Sequence, residues 1–307
     1  MKYSQIWRQK MTIRDCIAPD RKPRKPEITL PKGSIDTHVH IFESQFPLFE
    51  GRGYNPPNST LEDLIHLHTT LGLDRVVFTQ PSVYGVDNSA ILKGMNVLNE
   101  KVANKARGVC AIKMEASEAS LQELHDQGIR GVRLNLDNKG GMPLELKEIS
   151  KLEDKIKGFG WHLEYLFPGK DIVELEPVLS NASVPVSIGH FAYQPATAGI
   201  NADGFKTLLR LVKDGNTWIK ISGANRVSET DLPPYDDVLP MARALVEANP
   251  DNVMWGTDWP HPNKYEVNPN DGDLVNWFGE WITDDAMRTR IMVDNSEAFY
   301  DFGAYQG

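Results

Sequence analysis

His38 and His40 stand two residues apart in the run Ser34-Ile35-Asp36-Thr37-His38-Val39-His40-Ile41-Phe42, and Trp255-Gly256-Thr257-Asp258-Trp259-Pro260-His261 supplies a carboxylate far downstream. Residues two apart on a strand point to the same face, so both imidazoles can line one pocket. Imidazoles beside a carboxylate can relay protons, polarise a carbonyl group or hold a metal ion. The stretch from Asn252 to Asp258 reads as a short buried strand that ends in Pro and Gly punctuation and delivers the aspartate there. An early strand and a late strand thus converge on one place. A chain that brings its first and last strands together closes a barrel, and in a (β/α)8 (TIM) barrel the catalytic groups sit at the C-terminal ends of the strands.

The elements between fit that geometry. Strand-like segments fall at Asp74 to Gln80, Ala106 to Ile112, Ile129 to Leu136, Trp161 to Phe167, Val184 to His190 and Thr217 to Ser222. Helix-like runs separate most of them: Ser89 to Asn104, Pro143 to Lys157, Ile172 to Leu179, Gly204 to Lys213 and Val238 to Ala248. With the first and last strands the count is eight, connected as parallel strands are. The expected fold class is therefore α/β, a (β/α)8 barrel over 34–307, with a doubly wound open sheet as the alternative. Residues 1–33 carry prolines and basic residues without periodicity and are expected to form an arm around the barrel.

Several candidates end predicted strands: His38 and His40 the first, Arg133 the fourth, Tyr165 the fifth, His190 the sixth and Asp258 the eighth. Taken alone, each has a structural explanation, such as a satisfied strand-end histidine or a surface ion pair for an arginine. Their clustering is the signal. His66 and His68 lie on a probable helix and point in different directions, so they are no second His-x-His site. Thr60 with Asp63 is read as the cap of that helix. Cys16 and Cys110 form neither a disulfide framework nor a thiolate metal site. Gly140-Gly141 lacks the lysine and hydroxyl residue of a phosphate loop and reads as a turn.

The Asp-x-His-x-His pattern, with a histidine after strand six and an aspartate after strand eight, resembles the amidohydrolase superfamily. Gly131-Val132-Arg133-Leu134-Asn135, Lys220 to Arg226 and Trp255 to His261 are similar to its branch of 2-pyrone-4,6-dicarboxylate and sugar-acid lactonases, over residues 34 to 303. The resemblance implies a hydrolase that opens an anionic lactone. Asp258 would activate water, while His38, His40 and His190 polarise the carbonyl group. Arg133 and Arg226 would grip a carboxylate, aided by the hydroxyls of Ser82, Tyr165 and Tyr54. Arg130, three residues before Arg133, is expected to face the helices. His162 faces away from the side that Tyr165 faces. Strand four offers a cation where metal-dependent members hold a ligand, so the expectation is no cofactor. The alternative is one zinc ion on His38, His40, His190 and Asp258. The chain departs from the dicarboxylate lactonases at Asp137-Asn138-Lys139-Gly140-Gly141, where a second basic pair would stand, which leaves room for other anionic lactones.

The chain has 307 residues, is 40% hydrophobic and carries a net charge of −9, enough for a large core and without the basic footprint that nucleic acid or an anionic membrane requires. No apolar run of about 18 residues and no secretory leader stand out, so a cytoplasmic enzyme is expected, with homo-oligomerisation open. The rivals to a lactonase are a zinc-dependent decarboxylase, a lactone isomerase and a non-catalytic binding barrel.

Overall fold

A computed structural model describes residues 13–137, 142 and 144–305. Eight parallel strands lie side by side in chain order: β1 Ile35–Val39, β2 Arg75–Thr79, β3 Ala106–Cys110, β4 Ile129–Asn135, β5 His162–Leu166, β6 Val186–Ile188, β7 Thr217–Lys220 and β8 Val253–Met254. Backbone hydrogen bonds join the last strand to the first. Thr37 N donates to Trp255 O at 3.2 Å, and beyond the strand ends Asp258 N donates to His38 O at 3.0 Å and His40 N to Trp259 O at 2.9 Å. Asp36 clasps the same seam, accepting from Thr257 N at 2.9 Å and Thr257 Oγ1 at 2.6 Å. The fold is therefore the barrel rather than the open sheet.

Strand alternation builds two cores. Outward side chains pack beneath the helices in one large apolar cluster. Inward, Ile35, Val77, Val109 and Met254 meet Tyr300 and Phe302, which plug the N-terminal end. Nearer the C-terminal end the inward positions turn polar, with Arg133, Glu164 and Lys220 all buried. An apolar base under a polar layer is what leaves an open, chemically equipped mouth.

The helices are α1 Leu61–Leu71, α2 Ser89–Lys101, α3 Glu118–Asp126, α4 Ile149–Lys157, α5 Ile172–Ser180, α6 Asp203–Lys213, α7 Leu239–Ala248, α8 Asp271–Trp281, α9 Asp285–Thr289 and α10 Asn295–Tyr300. Thr60 and Asp63 cap α1 reciprocally, as their spacing predicts. His68 on α1 reaches Asp36 Oδ2 at 3.2 Å and so belongs to the barrel seam, not to a metal site. The helix α3 has no counterpart in the sequence reading because Leu121 is its sole buried residue, which leaves almost no apolar period to detect.

The described part of the arm, 13–33, crosses the barrel mouth and its flank. Arg14–Asp15 pairs in parallel with Tyr54–Asn55 in the loop after β1. Cys16 Sγ accepts from Asn263 N at 3.3 Å, and Ile17 N donates to Lys264 O at 3.0 Å, in the loop after β8. Farther along, Arg24 N donates to Asn270 Oδ1 at 2.9 Å ahead of α8. Residues 1–12 of the arm, and Asn138 to Gly141 with their glycine pair and departing motif, lie outside the described residues, as does Pro143. Among the described residues no helix is long and apolar enough to cross a membrane.

Candidate active site

His38 lies on β1 and His40 follows it directly, both buried at the barrel mouth. Their rings meet edge to face with centroids 4.9 Å apart, and His190, two residues past β6, stands 4.6 Å from His38. Asp258, four residues beyond β8, is fully buried among them. Its Oδ1 lies 3.5 Å from His190 Nε2 and 4.0 Å from His38 Nε2, while Oδ2 accepts from Arg226 Nε at 2.5 Å. The four groups named from the sequence thus share one centre.

The backbone is bent to deliver them. Asp258 adopts a φ of 66°, and His190 to Tyr193 form a left-handed turn with φ values of 52–54°. Such values are costly for residues with a Cβ and are held by surrounding structure, most often at functional sites. Gly223, with φ 62°, meets the same demand cheaply, and a Cβ there would stand 2.8 Å from His190 Nδ1.

Each imidazole is fixed by what lies behind it. His40 Nδ1 is 2.7 Å from Thr79 O, which can only accept, so Nδ1 carries the proton. His190 Nδ1 pairs with Ser222 Oγ at 3.0 Å. His38 Nδ1 faces Lys220 Nζ at 3.3 Å. Burial pushes His40 and His190 down to about 3, and burial together with the Lys220 charge holds His38 well below the usual range. All three are neutral at physiological pH. Burial would raise the Asp258 carboxyl, but the Arg226 guanidinium and the neighbouring imidazoles outweigh it and hold it at about 2. The carboxylate is ionised throughout the working range.

The pocket above this centre is lined by His40, Tyr54, Ser82, Arg133, Arg226 and Asn263, among others. Arg133 Nη1 donates to Gln80 O at 3.0 Å, and Arg226 Nη2 to Pro262 O at 2.9 Å, which orients both guanidinium groups. Tyr54 bonds Ser82, and burial raises its hydroxyl so that it stays protonated.

Tyr165 is the correction. Leu134, Tyr165 and Ile188 are register partners on the outward face, and the charge felt by Tyr165 is that of Glu153 on α4. It faces the helices and does not line the pocket. His162 does face the opposite way, inward, where it packs on Phe299 and Tyr300 at the barrel base. Arg130, four residues before Leu134 on β4 and so on the same outward face by alternation, bonds His125 O at 3.0 Å beside α3, outside the site. The sequence reading passed over Glu164, Lys220, Tyr193 and Asn263. Charged side chains within the otherwise apolar strands β5 and β7 were the available signal for the first two, because a buried strand carries charge only in pairs.

Could a metal ion fit? One donor atom each from His38, His40 and Asp258 lies within 4.8 Å of the others, a spacing that one ion could bridge. The chemistry around them does not suit a divalent cation. Arg226 occupies one oxygen of Asp258, and an ammonium rather than a carboxylate or carbonyl backs His38. Arg133, Arg226 and Lys220 already pair with Asp258 and Glu164, so neither of these carboxylates is free of a competing cation.

Eight strands that carry converging polar groups at one mouth, over a plugged base, define a (β/α)8-barrel enzyme. The chain belongs to the amidohydrolase family, which matches residues 35–302. It is 34% identical over 288 residues to the 4-sulfomuconolactone hydrolase of Rhizobium radiobacter, covering 92% of this chain and 95% of that relative. It is 33% identical over 288 residues to the 2-pyrone-4,6-dicarboxylate hydrolase of Comamonas testosteroni, covering 91% and 93%. An apo crystal structure from Agrobacterium tumefaciens matches with a TM-score of 0.80 at 28% identity, over 90% of this chain and 98% of that one.

Proposed function

We propose that the protein is a metal-independent hydrolase that opens the ring of a carboxylate-bearing lactone. One observation carries this reading: Asp258 Oδ1 is buried, ionised and without a hydrogen-bond partner among the described residues, in a pocket walled by two guanidinium groups. Such an atom is costly unless it is waiting for a proton donor. Water is that donor. The two hydrolase relatives described above act, by their names, on anionic lactones, which is consistent with the arginines.

The residues divide the chemistry between them. Neutral His40 has its proton on Nδ1, so its Nε2 is an acceptor, and it joins Asp258 Oδ1 in orienting the two protons of a water molecule. On this reading His40 does not polarise the carbonyl group as the resemblance implies, since a neutral ring with its proton on Nδ1 has no second proton to give. As the water oxygen bonds to the carbonyl carbon, one proton passes to Asp258. His38 and His190 donate to the oxygen that becomes negative. Collapse breaks the ring C–O bond, and the departing oxygen takes the proton back from Asp258. Arg133 and Arg226 hold the substrate's anionic group, the former with a guanidinium only loosely engaged by Glu164 at 3.5 Å.

The test is ring opening of 2-pyrone-4,6-dicarboxylate and of a sulfonate-bearing muconolactone, followed by ultraviolet absorbance, with protein stripped of metal and checked by elemental analysis. Turnover of either by the stripped protein is expected. Activity that returns only with added zinc would overturn the metal-independent mechanism, and inertness toward both lactones with or without zinc would overturn the reaction.

A further inference from the structure

Lys220 is completely buried, and three acceptors surround its ammonium: Glu164 Oε2 at 2.5 Å, Thr37 O at 2.8 Å and His38 Nδ1 at 3.3 Å. Burial lowers the pKa of Lys220, while the Glu164 carboxylate bonded to it acts to keep the proton on. In the charged form an ammonium has three protons and no lone pair, so each neighbour receives one proton and His38 Nδ1 is an acceptor. A neutral imidazole whose Nδ1 lone pair is engaged carries its own proton on Nε2. The competing arrangement would have His38 Nδ1–H donate to Glu164, but Glu164 Oε1 lies 3.8 Å away, beyond hydrogen-bond reach.

We propose that Lys220 is a positioning residue that locks His38 in the Nε2–H form, making it a fixed proton donor to the pocket and withdrawing it from metal ligation. Its Nε2 has no hydrogen-bond partner among the described residues and lies 4.0 Å from Asp258 Oδ1. The proton is therefore free for an incoming oxygen. The His-x-His pair is split by its surroundings: a carbonyl behind His40 makes that ring an acceptor, and an ammonium behind His38 makes that ring a donor. Glu164 completes the device by pairing with the ammonium, since an unmatched charge in the barrel interior would be expelled by neutralisation. A ligating histidine instead needs its second nitrogen to donate, and Lys220 forbids that. The use of the His38 proton in lactone hydrolysis rests on the function proposed above, whereas the lock itself does not.

The experiment is a long-range proton–nitrogen correlation spectrum of the full chain, metal-stripped and labelled with 15N in its histidines. The wild-type spectrum is expected to show His38 protonated on Nε2 and His40 protonated on Nδ1. A His38 signal protonated on Nδ1 would overturn the proposal, whatever any variant does. The double variant Lys220→Met with Glu164→Gln removes the pair together, so no charge is left unmatched. If it folds by circular dichroism, the His38 signals should move toward the Nδ1–H pattern, and zinc binding by calorimetry should strengthen at least tenfold, about 1.4 kcal/mol. Unchanged signals in a folded double variant would also overturn the lock. Because the spectrum needs no substrate, a wild-type protein with the expected pattern but no lactonase activity would count against the reaction and in favour of the lock.

Discussion

At the residue scale, Asp258 and Arg133 separate chemistry from recognition. Replacing Asp258 with Asn removes the proton acceptor but keeps the shape, so kcat should fall about 10³- to 10⁴-fold while substrate still binds, measurable by steady-state kinetics and calorimetry. Arg133→Met removes a charge-assisted contact to the substrate. KM should rise about 10- to 100-fold with a smaller effect on kcat. Tyr165→Phe tests the corrected orientation: kcat/KM should stay within about twofold of wild type, because a side chain under α4 touches no substrate. With Asp258 held at about 2 and His40 and His190 at about 3, the ionised base and neutral histidines all persist above those values. The kcat/KM profile of the folded protein should therefore be flat from about pH 5 to 8. A bell centred near 6.5 would contradict this protonation scheme.

At the element scale, the strands were legible because period-two alternation and Gly or Pro punctuation mark them directly, and Asp258 and His190 were legible as polar residues where apolar runs stop. Alternation yields two faces without saying which is inward, and that is where Tyr165 went wrong. Glu164 beside it was the informative residue, since a strand-borne carboxylate must face the barrel's polar layer and find a cation there, which Lys220 supplies. The loops were hardly legible, because Asn263 and Tyr193 reach the pocket through left-handed backbone turns that leave no periodic trace. The arm read as irregular because its pairing partners are distant in sequence. In the fold it bridges two loops of the mouth, binding Tyr54–Asn55 through Arg14–Asp15 and the Asn263 backbone through Cys16. Deleting residues 1–18 should thus free both pocket walls. The expected result is a KM increase of about tenfold, with far-ultraviolet circular dichroism unchanged, since misplaced binding groups lose affinity before the barrel loses its core.

At the scale of the whole molecule, the barrel keeps its functional groups buried, and that has a consequence for stability. His38, His40, His162 and His190 are buried and neutral, each held below the 6.5 of an exposed histidine: burial brings His40, His162 and His190 to about 3, and burial with the Lys220 charge holds His38 well below the usual range. The unfolded chain takes up protons at these sites as pH drops below about 6.5, while the folded chain does not do so at His40, His162 and His190 until near pH 3, and His38 likewise resists protonation well below its usual range. A group with a depressed folded value stabilises the fold fully above its unfolded value and loses that contribution as pH falls toward its folded value. Asp258 acts in the same direction at lower pH, its contribution fading from about 4 down to about 2. Stability should therefore be level between pH 7 and 8 and should already have dropped at pH 5, by on the order of several kcal/mol for four such histidines together. Urea unfolding followed by tryptophan fluorescence at pH 7.5, 6 and 5 measures this. A midpoint that declines steadily from pH 6.5 downward, while kcat/KM of the remaining folded protein stays level, would show the same buried histidines serving catalysis and limiting acid tolerance. A midpoint independent of pH down to 5 would mean that these rings are protonated or solvated in the folded state, and the division of donor and acceptor between His38 and His40 would then lose its basis.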